Sequence, residues 1–167
     1  MPNSKTLVLN HTQISQKITR IAHQIIENNF EEKELIVVGI TPRGSELAKR
    51  ICSILESIFD GTINYYDITL QKDNPLRNEI SCELKPEQAE GKTIILVDDV
   101  LNTGRALVFA TRYLLGFDVK GMQTVTLIDR RHRNFPIRAD YVGLTLATTM
   151  QEHILVEFGN EDNAWLV

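Results

Sequence analysis

Residues 93–107 read TIILVDDVLNTGRAL, and this stretch decides the fold. Ile94 to Val97 is a short apolar run rich in β-branched residues, the pattern of a buried central strand. Asp98 and Asp99 follow directly. A turn from Val100 to Gly104 is expected next, and then a helix. Paired acids at the carboxyl end of a buried strand sit where ligands bind in open α/β sheets. Thr103 and Gly104 open the helix, and backbone N–H groups at a helix start favour phosphate. Carboxylates would repel a bare phosphate. They suit a ligand that also donates hydroxyls, such as a ribose phosphate. An ordinary βα unit, with acids capping the helix start, is the plainer alternative.

The chain has 167 residues, enough for one domain (1–167) with a sizeable core. Apolar content is 43% and charged content 24%, normal for a soluble globular protein. No apolar run approaches the roughly 18 residues of a membrane span. The first residues, MPNSKTLVLN, hold no apolar signal-peptide core. Cys52 and Cys82 lie far from any metal-ligand spacing and read as reduced thiols of a cytoplasmic protein. A net charge of −4 disfavours general coating of nucleic acid but leaves room for a local basic patch.

Elsewhere the chain alternates strands and helices, which predicts a parallel α/β sheet with right-handed crossovers. A short strand is expected at residues 7–9. A helix capped by Thr12 should run to about Asn29, with Ile14, Ile18, Ile21, Ile25 and Ile26 at helical spacing. Residues 35–40 read as a second buried strand, followed by the turn Thr41-Pro42-Arg43-Gly44 and a helix from Ser45 to about Phe59. This repeats the strand–turn–helix grammar of the opening stretch, so a second loop should lie at the same sheet edge. Residues 63–70 are a strand. Residues 71–91 form a long polar segment, of the kind that serves as a lid or arm. A helix at 105–115 and strands at 122–128, 153–158 and 164–167 complete the pattern. The turn Asp129 to Arg133 reads DRRHR and is strongly basic.

The strand, Asp98-Asp99, three spacers and Thr103-Gly104 resemble the binding signature of type I phosphoribosyltransferases. These enzymes use 5-phosphoribosyl-1-pyrophosphate (PRPP). Further segments look like the PyrR type, pyrimidine-operon attenuation regulators that are also uracil phosphoribosyltransferases. They are TRIAHQIIENN (19–29), VVGITPRGSELAKR (37–50), YDITLQKD (66–73), ILVDDVLNTGRAL (95–107) and LIDRRHRNFPIRADYVG (127–143). The resemblance implies a mostly parallel sheet flanked by helices, with a small hood. It implies transfer from PRPP to uracil, with Mg²⁺ carried by PRPP rather than bound by protein ligands, and a homodimer or larger assembly. A regulator with little activity, or an enzyme for another nucleobase, are the alternatives.

By resemblance, Asp98 and Asp99 bind the ribose hydroxyls. Asn102, Thr103, Gly104, Arg105 and Ala106 hold the 5′-phosphate. Thr41, Pro42, Arg43 and Gly44 form the pyrophosphate loop, with Thr41–Pro42 read as cis and a trans proline in an ordinary βα turn as the plainer alternative, and Arg43 joins the two acids as a catalytic group. Tyr141, Val142, Asp129 and Arg130 are expected at the base. Thr19, Arg20, His23, Arg133 and Arg138 match RNA-contacting positions, and His132 reads as part of a structural or RNA-facing turn. The 71–91 segment would be the mobile loop over PRPP. Four departures stand out. That segment is several residues shorter than is usual, Asn102 replaces an aromatic residue, Thr41-Pro42 replaces Lys-Thr, and Leu144 replaces a lysine associated with RNA.

Overall fold

The structure, a computed structural model, describes residues 4–167 except 72, 73, 75, 77 and 78. Strand β1 (Thr6–Leu9) leads into α1 (His11–Asn29), β2 (Glu34–Ile40), α2 (Arg43–Ile58) and β3 (Thr62–Thr69). A two-residue strand β4 (Ser81–Cys82) and a one-turn helix α3 (Pro86–Ala89) follow. Then come β5 (Thr93–Leu101), α4 (Arg105–Leu114), β6 (Gly121–Asp129), β7 (Tyr141–Thr145), β8 (Ile154–Glu157) and β9 (Asn163–Leu166). The expected α/β class is observed. The main sheet has the order β4-β3-β2-β5-β6-β7 and is parallel except for β4. The expected hood is a separate antiparallel sheet, β1-β9-β8.

Alternation along the parallel strands builds a core on each face. Val37, Val97 and Val125 point to the α1–α2 side, where they meet Ile14, Ile21 and Leu47. Ile36, Val38 and Leu96 point to the α4 side, where they meet Leu107, Ala110 and Leu114. Full burial of each such aliphatic side chain is worth about 1.5–3 kcal/mol. Every residue of β5 is buried, which makes it the central strand.

Local boundaries differ from the sequence expectation at four places. Asn10, not Thr12, caps α1, through a reciprocal capping box with Gln13. Helix α2 begins at Arg43 rather than Ser45, so Arg43 and Gly44 are its first turn. Pro42 is tolerated at this cap position because no N–H is needed there. Strand β5 runs through both acids to Leu101, so the following turn is only Asn102 to Gly104. Cys82, within the 71–91 segment read as a lid or arm, lies in β4. Residues 71–91 hold β4 and α3, and part of that segment, with Lys72 and Asp73 of the YDITLQKD string, lies outside the described residues. Both cysteines are free thiols. Burial, helped by Glu56, pushes the Cys52 thiol up to about 12.

Candidate active site

From β2 the chain crosses by α2 to β3, while from β5 it crosses by α4 to β6 on the other side. Strand order therefore reverses between β2 and β5, and a ligand crevice opens at their carboxyl ends. The two stretches singled out in the sequence, 41–44 and 98–106, meet at this point. Gly44 shows how closely: a Cβ there would lie 2.6 Å from the Val97 carbonyl oxygen and 3.0 Å from Asp98 Cα.

Asp98 and Asp99 are 3% and 4% exposed. Asp98 Oδ1 accepts the Asp99 N–H at 2.9 Å, and the Asp99 carbonyl accepts the Thr126 hydroxyl at 3.0 Å. Asp98 lines a cleft of about 490 Å³ together with Asn102, Thr103, Gly104, Arg105, Ala106, Asn134 and Phe135. Asp99 is not among the lining residues.

The floor of the cleft is the start of α4. Gly104 caps the helix with φ +88°, a conformation that glycine adopts at little cost. A Cβ there would lie 2.6 Å from Ile137 Cγ2. The first N–H groups of a helix have no intrahelical partner; here the Arg105 N–H donates to the Thr103 hydroxyl at 3.3 Å, and the turn faces the cleft with the positive end of the helix dipole. The Thr103 carbonyl accepts N–H bonds from Asn134 at 2.8 Å and Phe135 at 3.2 Å, which ties the cradle to the β6–β7 loop. Arg105 lies 5.7 Å over the Phe135 ring. Phe135 and Asn134 were missed in the sequence, where they sit in a basic loop with no periodicity.

On the other lip, Thr41–Pro42 is cis, as expected. Thr41 is held by its N–H to the Ile68 carbonyl at 3.0 Å and by its hydroxyl to Thr69 at 3.1 Å. Arg43 is exposed. Behind it, Ser45 Oγ donates to Asp67 Oδ1 at 2.7 Å, and the Tyr65 hydroxyl donates to the same oxygen. Burial and the Asp67 carboxylate raise the Tyr65 pKa. Asp67 and Tyr65 therefore brace α2 against β3. In the sequence they are only part of a strand pattern.

The phosphoribosyl transferase domain model matches residues 5–160. The chain belongs to the phosphoribosyltransferase family. The bifunctional protein PyrR of Clostridium novyi (strain NT) is 37% identical over 171 residues, covering 95% of this chain and 94% of the relative. PyrR of Bacillus velezensis is 36% identical over 176 residues, covering 99% and 96%. These matches set the chain in the PyrR group. Among solved structures, the hypoxanthine phosphoribosyltransferase of Trypanosoma cruzi superposes with a TM-score of 0.76. It shares 16% identity over 90% of this chain and 85% of that one, which speaks for the fold alone.

Within this phosphoribosyltransferase fold, the residues expected at the base fall in different places. Tyr141 is 4% exposed and sits in the α1-side core. Its hydroxyl donates to Gln123 at 2.7 Å and accepts from Asn28 at 3.0 Å. Pairing with Val125 puts it well back from the sheet's carboxyl edge, so it is a core residue rather than a wall of the cleft. Val142 gives its carbonyl to Arg20 at 2.8 Å. Asp129 and Arg130 do lie at the edge, where the Asp129 carboxylate accepts the Arg131 N–H at 2.8 Å. Arg130 is 5% exposed and donates to Asn102, so it braces the turn before α4 instead of standing open to a base. Burial lowers its pKa.

The RNA-matched residues divide into two groups. Thr19, Arg20 and His23 are exposed along α1. Arg20 also bonds the Gly143 carbonyl at 2.8 Å, and Thr19 bonds the Ser15 carbonyl at 2.9 Å. Arg133 and Arg138 are exposed on the β6–β7 loop and flank a groove with Pro136. Leu144 is half-buried against the core. His132 Nε2 lies 2.6 Å from the Thr148 carbonyl, a structural contact.

Proposed function

We propose that the chain transfers the phosphoribosyl group of PRPP to uracil, giving UMP and pyrophosphate. Asp98 beside the α4 cradle at the β2/β5 switch point carries this reading: a carboxylate for ribose hydroxyls stands next to N–H groups for a 5′-phosphate. In the transfer the ribose C1–oxygen bond to pyrophosphate breaks, and a C1–nitrogen bond to uracil forms as that nitrogen loses its proton. Positive charge develops on the ribose ring and negative charge on the leaving group.

Asp98 orients the ribose and favours the positive charge, while Arg43 at the start of α2 meets the departing pyrophosphate. Mg²⁺ enters on PRPP as part of the substrate and neutralises the same charge. No protein nucleophile is required. PRPP consumption measured with uracil, hypoxanthine, guanine and xanthine tests the assignment. Turnover with uracil alone is expected, and turnover confined to a purine would overturn it.

The PyrR relationship supports a second role, a UMP-responsive RNA-binding regulator of pyrimidine genes. Arg133 and Arg138, exposed on one loop, are the groups for RNA phosphates. A homo-oligomer in the cytoplasm is part of this proposal. No described helix is long and apolar enough to cross a membrane.

A further inference from the structure

Arg130 draws together two segments that are distant in sequence. Its Nη1 donates to Asn102 Oδ1 at 2.8 Å, and its Nε donates to Thr148 Oγ1 at 2.9 Å. Nη2 donates to the carbonyls of Thr149, at 3.3 Å, and Glu152. The Arg130 backbone N–H donates to the Leu101 carbonyl at 3.1 Å. One side-chain acceptor belongs to the phosphate cradle, and the others belong to the connection between β7 and β8 that leads into the hood. His132 adds its contact to the Thr148 carbonyl. All four groups that accept from the guanidinium are uncharged, and the Glu152 carboxylate on the same turn is the charge that faces it.

The connection also has internal order. The Thr149 N–H donates to Glu152 Oε2 at 2.7 Å, closing a turn whose carbonyls converge on the guanidinium. Asn102 itself is exposed at the cleft mouth.

We infer that Asn102 and Arg130 are positioning residues for the transfer, fixing the phosphate cradle against the β7–β8 connection so that seating the phosphate and ordering the connection are one event. The inference rests on the phosphoribosyl reading above. Thr148 is the far end of the device: it accepts from Arg130 and does not line the cleft.

The test uses the full chain with Asn102→Leu, Thr148→Val and the double variant. KM for Mg·PRPP and kcat are measured with each, together with amide hydrogen exchange of residues 102–106 and 146–153 in ligand-free protein. Asn102→Leu should raise KM for PRPP about tenfold, the size of one lost hydrogen bond to a charged group, with kcat changed much less. It should also speed exchange at 146–153. Thr148→Val should raise the same KM, and the double variant should fall short of the product of the two effects. Unchanged KM and exchange in Asn102→Leu, or independent effects in the double variant, would overturn the inference while wild-type turnover kept the activity intact. A wild-type chain that consumes no PRPP with any base would sink the activity and the inference together, and the wild-type rate tells the two failures apart.

Discussion

A Cβ placed on Gly44 would lie 3.0 Å from Asp98 Cα and 3.1 Å from Asp98 Oδ1. The first turn of α2 is thus pressed onto β5, and the segments proposed for pyrophosphate and for ribose are parts of one contact. Gly44→Ala should destabilise by about 1–3 kcal/mol, because the nearest atoms are backbone and cannot swing aside. Thermal unfolding reads this as a fall of several degrees, at about 2–4 °C per kcal/mol for a chain of this size. KM for PRPP should rise in the same variant, and a variant with wild-type melting and wild-type KM would contradict the contact.

Asp98→Asn separates charge from shape. Asparagine keeps an oxygen able to accept the Asp99 N–H bond seen at 2.9 Å, but it loses the carboxylate that faces the cleft. Loss of a charged hydrogen-bond partner is worth about 1.5–3 kcal/mol, or roughly a tenfold to hundredfold drop in kcat/KM. The melting temperature should move little. A loss of stability as large as the loss of activity would make Asp98 a structural acid.

The strand–turn–helix unit that lines the cleft was legible in the sequence because its signals are local: an apolar run, two acids, then Thr103-Gly104 within one short stretch. The switch point was legible because the 35–44 stretch repeats that grammar. What escaped was set by long-range packing. Resemblance puts Arg130 at the base, whereas its guanidinium is buried against the carbonyls of residues 149 and 152. Tyr141 looked like a base contact because of its string, but pairing with Val125 turns its ring into the core. The Ser45–Asp67 bond joins residues on α2 and β3, and no periodicity in either element announces it.

Gly104→Ala carries two separable penalties. The backbone is at φ +88° and the new methyl would meet Ile137 Cγ2 at 2.6 Å. A left-handed conformation costs a residue with a Cβ about 1–2 kcal/mol. Adding Ile137→Ala should relieve the contact but leave the backbone cost, so UMP affinity should recover only in part. Full recovery in the double variant, followed by calorimetry, would show that the backbone conformation does not matter.

RNA binding should be weak and steeply salt-dependent. Leu144 supplies no cation, and Arg20 already bonds the carbonyls of Val142 and Gly143. Replacing both Arg133 and Arg138 by alanine should lower affinity for a pyrimidine-leader hairpin. It should also reduce the slope of log affinity against log salt by about 1 per arginine, with no change in melting. Arg20→Ala should instead lower the melting temperature. Tight, sequence-specific binding at physiological salt that survives loss of both loop arginines would refute this arrangement.

The most direct test of the central claim is a crystal structure of the chain with saturating UMP. The phosphate is predicted on the backbone N–H groups of Thr103 to Ala106, with the ribose hydroxyls at Asp98 and uracil beyond Asn102 toward Asp129. UMP bound elsewhere, with the start of α4 empty, would contradict the account.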